Sequence, residues 1–170
     1  MPRTLLLMRH AKSDWPTGPS NDFERTLTDR GNKDASRIGG WIQEHDWMPD
    51  QIICSPATRA KQTVDHLCQK IGIDSRTVEY DKLMYEADQN HLLNMLKETN
   101  SLTTRLLMVG HNPSFSDLLN FLCSDSTHPT VDRSMSSAAL AVITLKAPWS
   151  ALDQGGGELM SLIQPHTLPR

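Results

Sequence analysis

Short apolar runs alternate along this chain with longer segments whose apolar residues recur every three or four positions. Residues 4–8, 51–54, 77–80, 105–109, 138–145 and 159–163 are rich in aliphatic and β-branched side chains and are predicted as strands. Residues 32–44, 57–71, 89–99 and 113–122 carry a helical period: Ile38, Trp41 and Ile42 share one face of the first, Leu118, Leu119 and Leu122 one face of the last. Strands taking turns with helices predict an α/β domain, a three-layer α/β/α sandwich with a mainly parallel six-stranded sheet and helices on both faces. Pro56 and the pair Asn112-Pro113 mark helix starts directly after strands. Gly155-Gly156-Gly157 lacks the Lys-Ser/Thr of a phosphate-binding loop and is read as a flexible connection between the last two strands.

A length of 170 residues suits one domain spanning residues 1–170. Seventeen Lys and Arg against twenty Asp and Glu leave a formal charge of −3, which offers no footprint for nucleic acid or an anionic membrane. Any anion site must therefore be local. Cys54, Cys68 and Cys123 are scattered, without a Cys-x-x-Cys pair, and read as free buried thiols. The apolar run Leu5-Leu6-Leu7-Met8 is too short for a signal-peptide core, and nothing approaches the roughly 18 apolar residues of a membrane span. A cytoplasmic protein is expected.

Three predicted strand ends share one chemistry. Arg9-His10 follows the first strand, Ser55-Pro56-Ala57-Thr58-Arg59-Ala60-Lys61-Gln62-Thr63 the second, and Gly110-His111-Asn112-Pro113 the fourth. Ligands of open α/β sheets bind outside the carboxyl ends of the strands, where helix N-termini also present free N–H groups. Two arginines offer planar forks for phosphate oxygens, and two imidazoles offer a nucleophile and a second donor. Gly110 would let backbone come close. Taken singly, Arg59 and His111 would read as helix-flanking surface residues. Ser55 and Ser114 stand outside any Gly-x-Ser-x-Gly elbow, which disfavours a serine hydrolase. His45, His66, His91, His128 and His166 have no such context and read as surface or packing residues.

The ordered set of Arg9-His10-Ala11-Lys12-Ser13, Arg25-Thr26-Leu27-Thr28-Asp29-Arg30-Gly31, the Ser55–Thr63 stretch and Gly110-His111 resembles the histidine phosphatase (phosphoglycerate mutase-like) superfamily. The wording is most similar to its SixA-type phosphohistidine phosphatases. The resemblance implies that His10 accepts a phosphoryl group and that Arg9, Arg59 and His111 complete the phosphate pocket, without metal or cofactor. A neutral imidazole with an ordinary pKa of about 6.5 is a competent nucleophile near neutrality, and phosphoryl transfer needs mostly alignment and charge neutralisation.

Ester-cleaving members place a general acid after the third strand, which makes Glu86 the candidate and Asp88 the next; the alternative is a pair of helix-start carboxylates. Lys12, Arg25 and Asp22 are candidates for the pocket mouth or for a solvated charged loop. Mutases carry an asparagine where this chain has Trp15 and need a longer lid, which argues for hydrolysis. An imidazole leaving group departs far more easily than an alkoxide, so a phosphohistidine on a protein, in signal transduction, is the first expected substrate. A small phosphate ester is the alternative, and a non-catalytic phosphate-binding module a third. Inorganic phosphate would be the product.

Overall fold

Leu5, Leu6, Leu7 and Met8 in β1 (Thr4–Arg9) are wholly shielded from solvent. A strand apolar on both sides needs cover on both faces of its sheet. In the computed structural model, which describes residues 2–15, 21–124 and 133–168, that cover comes from two helix pairs. Leu6 and Met8 pack in the cluster that holds α1 (Asp29–Glu44) and α2 (Thr58–Ile71). Leu5 and Leu7 pack with α3 (Gln89–Lys97) and α4 (Ser114–Leu122). Each buried Leu or Met is worth about 1.5–3 kcal/mol relative to exposure.

The remaining strands are β2 (Gln51–Cys54), β3 (Glu79–Tyr80), β4 (Arg105–Gly110), β5 (Leu140–Leu145) and β6 (Gly157–Ile163), in the order β3-β2-β4-β1-β5-β6. The pairings β1–β4, β2–β4 and β2–β3 are parallel, whereas β1–β5 and β5–β6 are antiparallel. The three-layer sandwich is as expected, with a mixed sheet. Because β2, β4 and β1 are neighbours, their carboxyl ends lie side by side. Antiparallel β5 begins at that same edge, where the Ala138 N–H donates to His10 O at 3.0 Å.

Local chemistry moves several boundaries. The expected third strand begins two residues late, at Glu79, because Thr77 ends a 3-10 turn, Ser75–Thr77, in which the Asp74 carboxylate accepts from the Arg76 N–H. β5 starts at Leu140 because Ala138 has φ of +62°, incompatible with a strand. Helix α1 starts at Asp29, earlier than its apolar period suggests, because the Thr28 hydroxyl accepts from the Gly31 N–H at 2.9 Å. Helices α2 and α4 begin at Thr58 and Ser114, each one residue later than expected, and α3 ends at Lys97. The glycine run is an ordered turn rather than a loose connection: Gly155 takes φ of +71°, and Gly157 opens β6 where a Cβ would lie 2.6 Å from Ile143 Cγ2. Cys54, Cys68 and Cys123 are free and buried. Among the described residues no helix is long and apolar enough to cross a membrane. His128 lies outside the described residues.

Candidate active site

His10 leaves the end of β1 with its backbone held on both sides, its N–H donating to Gly110 O at 2.9 Å and its carbonyl accepting from Ala138. Its Nδ1 lies 2.7 Å from Ala11 O, and Arg59 Nε points a hydrogen at its Nε2 from 3.3 Å. A carbonyl only accepts and a guanidinium only donates, so the proton sits on Nδ1 and Nε2 carries the lone pair. His10 is buried, at 7% exposure. The result is an oriented, unprotonated nitrogen between two cations.

The segment after β2 supplies more than Arg59. Thr63 Oγ1 accepts from the Ala11 N–H at 3.0 Å and donates to Arg59 O, fixing the turn that follows His10. Gln62 Oε1 accepts from the Leu27 N–H at 2.8 Å. In turn the Thr28 N–H donates to Lys12 O at 2.9 Å, and Gly31 is required because a Cβ there would lie 2.2 Å from that same carbonyl oxygen. The repeated residue types of both motifs thus clamp the loop carrying His10.

His111 follows β4, its ring centroid 5.2 Å from that of His10. The Ser55 hydroxyl accepts from the Ala57 N–H, which leaves its own proton for His111 Nε2, 2.7 Å away. With that proton given to Nε2, His111 Nδ1 carries a hydrogen, and Nδ1 is buried without a partner among the described residues. Arg9 bonds Met135 O through Nη1 while its buried Nε also lacks a partner among the described residues. Buried donors with no acceptor, beside cations, suit a bound anion. Gly110 serves packing instead of the ligand: a Cβ there would sit 2.5 Å from the Phe115 ring.

A cleft of about 350 Å³ is lined by Arg9, His10, Lys12, Arg25, Arg59 and His111, with Ser13, Trp15, Asn112 and Ser137. A larger groove of about 590 Å³ on α1, with Trp41 and His45, brings together no comparable set of converging groups. Burial, reinforced by the neighbouring ring and arginines, pushes His10 down to about 3; burial and Arg59 push His111 down to about 4. Both imidazoles are therefore neutral at neutral pH. Asp22 is drawn down to about 2, first by the Tyr85 hydroxyl and then by Arg25 and Arg59, and stays ionised.

These shifts set a pH dependence of stability. An unfolded histidine binds a proton near pH 6.5, while the folded pair refuse theirs until about 4 and about 3. Stability is full above about 6.5 and declines as the pH falls through that window. Urea unfolding is expected to show a falling free energy from about pH 7 to about pH 5, and the double variant His10→Asn, His111→Asn to lose most of that slope. An unaltered slope would show that the two rings are not the source.

The structure brings together His10, Arg9, Arg59 and His111, with Lys12 and Arg25 at the mouth. Arg25 is already engaged: Nε on Asp14 O, Nη1 on Asp22 Oδ1, Nη2 on Ser13 Oγ, and its Cζ 3.9 Å from the Trp15 ring centroid. Glu86 is not brought to the cleft; it is exposed and lines an adjoining cavity with Lys82, Leu83, Tyr85 and His91. Asp88 caps α3, accepting from the His91 N–H at 2.9 Å. Among the described residues no three His, Cys, Asp or Glu side chains cluster to hold a metal ion. Ser55, Gln62, Thr63 and Tyr85 were missed as contributors, although each lies within or beside a recognised string; only their cross-chain partners reveal them. Asp22, equally readable as a solvated charge, proves to bridge Arg25 and Arg59.

A family profile described as histidine phosphatase superfamily (branch 1) matches residues 5–111. An uncharacterized protein of Mycobacterium tuberculosis is 33% identical over 163 residues, covering 93% of this chain and 99% of that one. Phosphohistidine phosphatase SixA of Escherichia coli is 24% identical over 142 residues, 83% of this chain and 84% of its own. A solved chain from Nakamurella multipartitia, described as a candidate phosphohistidine phosphatase SixA, superposes with a TM-score of 0.84 at 27% identity, covering 97% of each chain.

Proposed function

Because the chain belongs to the histidine phosphatase superfamily (branch 1), we propose that it hydrolyses phosphohistidine on a protein through a phosphoryl group carried by His10. The observation that supports this most is the Nε2 lone pair of His10, held 3.3 Å from Arg59 Nε in a cleft with unpartnered buried donors. In the first step Nε2 attacks phosphorus, the P–N bond of the substrate breaks, and the leaving imidazole keeps the bond pair and takes up a proton from solvent. Arg9, Arg59 and His111 hold the phosphoryl oxygens, and Lys12 and Arg25 flank the entrance. Water then attacks phosphorus, the Nε2–P bond breaks with its electron pair returning to His10, and inorganic phosphate leaves. The burial that keeps a proton off Nε2 also makes it a ready leaving group in this second step.

Alkoxide leaving groups need a proton donor in the cleft. Glu86 stands in the adjoining cavity, and Asp22 is held ionised by three donors. An imidazole leaving group makes far less demand on an acid, which favours phosphohistidine over an alkyl phosphate. Catalytic efficiency on a phosphohistidine-bearing protein is expected to exceed that on a panel of small phosphate monoesters by about 10²-fold or more, the usual worth of general-acid help. Equal efficiency on a small ester would turn the reading toward a metabolic phosphomonoesterase.

A further inference from the structure

We propose that Asp22, braced by Tyr85, is the positioning residue that holds Arg59 with one edge of its guanidinium turned toward His10. The proposal rests on the reading that His10 receives the phosphoryl group. A guanidinium presents an end edge, made by its two terminal nitrogens, and a side edge that includes Nε. Asp22 takes the end edge: Arg59 Nη1 donates to Asp22 O at 2.7 Å and Nη2 to Asp22 Oδ2 at 3.1 Å. The side edge is thereby left on His10, with Nε 3.3 Å from Nε2. An oxygen on a phosphorus approaching Nε2 meets that edge, which suits bidentate contact.

Asp22 cannot aim Arg59 alone, because it sits on a short 3-10 turn, Asp22–Glu24, and its side chain is 42% exposed. Two further groups fix it. Tyr85 donates its hydroxyl to Oδ2 at 2.5 Å, and Arg25 grips Oδ1 at 3.1 Å. Tyr85 is itself held edge-on between Phe23 and His111, at centroid distances of 5.0 and 5.6 Å. The chain of contacts therefore runs from the segment before α3 through Tyr85 and Asp22 to Arg59 and the reacting nitrogen. Asp22 places one negative charge near the anion it helps to bind, so its contribution is to geometry rather than to affinity.

The test separates those two effects. Asp22→Asn is expected to lower kcat on phosphohistidine protein by about 10²-fold, the cost of a misplaced catalytic group. The Kd for inorganic phosphate, measured by calorimetry, should move by less than about threefold, the scale of one exposed charge. Tyr85→Phe should show the same split at about tenfold, the loss of one charge-assisted hydrogen bond. In the Arg59→Lys background, which has no fork to aim, Asp22→Asn should change kcat by less than about threefold. Wild-type kcat in Asp22→Asn, an equal loss in the Arg59→Lys background, or loss of phosphate binding in step with melting temperature would each overturn the proposal. A wild-type protein that neither binds inorganic phosphate nor forms an acid-labile phosphoryl-enzyme would instead take down the reading beneath it, and the inference with it.

Discussion

His10→Asn is expected to abolish turnover and phosphoryl-enzyme formation while leaving a cleft that still binds inorganic phosphate. Asparagine can keep the amide hydrogen bond to Ala11 O that Nδ1 makes, so the loop geometry survives. What it lacks is the Nε2 lone pair. Removing a covalent nucleophile costs on the order of 10⁴-fold or more in rate, since the remaining groups position and neutralise but form no bond to phosphorus. Arg9, Arg59 and the Nδ1 hydrogen of His111 are untouched and still present cations and donors to an anion. Rapid-quench labelling with a phosphohistidine donor, together with calorimetry on phosphate, reads both halves. Turnover near the wild-type rate would remove His10 from the chemistry, and loss of phosphate binding would mean that the ring holds the cleft open.

Gly31→Ala is expected to cause the largest stability loss of any Gly→Ala change among the described residues, about 1–3 kcal/mol or more from overpacking. Its Cβ would lie 2.2 Å from Lys12 O and 3.1 Å from Lys12 C, both backbone atoms. Neither can move without disturbing the Thr28 N–H bond to that oxygen or the bridge between Ser13 and Leu27. Because the same loop follows His10, kcat should fall along with stability. Gly40→Ala, on the same helix, is the control. Its nearest neighbour is the flexible Lys70 Cε at 3.4 Å, so the general preference of helices for alanine should make it neutral or stabilising by up to about 1 kcal/mol. Chemical denaturation of both variants checks the contrast, and similar midpoints would show that the contact at Gly31 imposes no constraint.

How far the fold could be read in advance varied from element to element. Strands β1 and β4 are apolar on both faces and announce themselves as buried. The two-residue β3 is exposed at Glu79 and Tyr80, and a local Asp74 turn competes with it for the residues before. The start of α1 is written in a capping threonine rather than in apolar periodicity, so the helical period misses its first turn. At the cleft, Arg9, His10, Arg59 and His111 stand in short recognisable strings. Tyr85 stands directly before Glu86, yet it is the Tyr85 hydroxyl that reaches Asp22, 63 residues away in sequence. A carboxylate next to a strand end looks like an acid in a string of letters, whereas its direction depends on the backbone around it.

The amino-acid sequence by itself determined the alternation of strands and helices, the absence of a global basic surface, and which arginines and histidines are the candidates to bind and accept a phosphoryl group. Those properties reside in local periodicity and in side-chain chemistry, which travel with the residue. Only the tertiary structure decided that β4 lies between β2 and β1, that β5 runs back along β1, and that three separate strand ends therefore face one cleft. It also decided which nitrogen of His10 is bare, the neutrality of both imidazoles, and the grip of Asp22 on Arg59. Each of these depends on burial or on a partner distant along the chain, and such long-range contacts leave no period in the sequence.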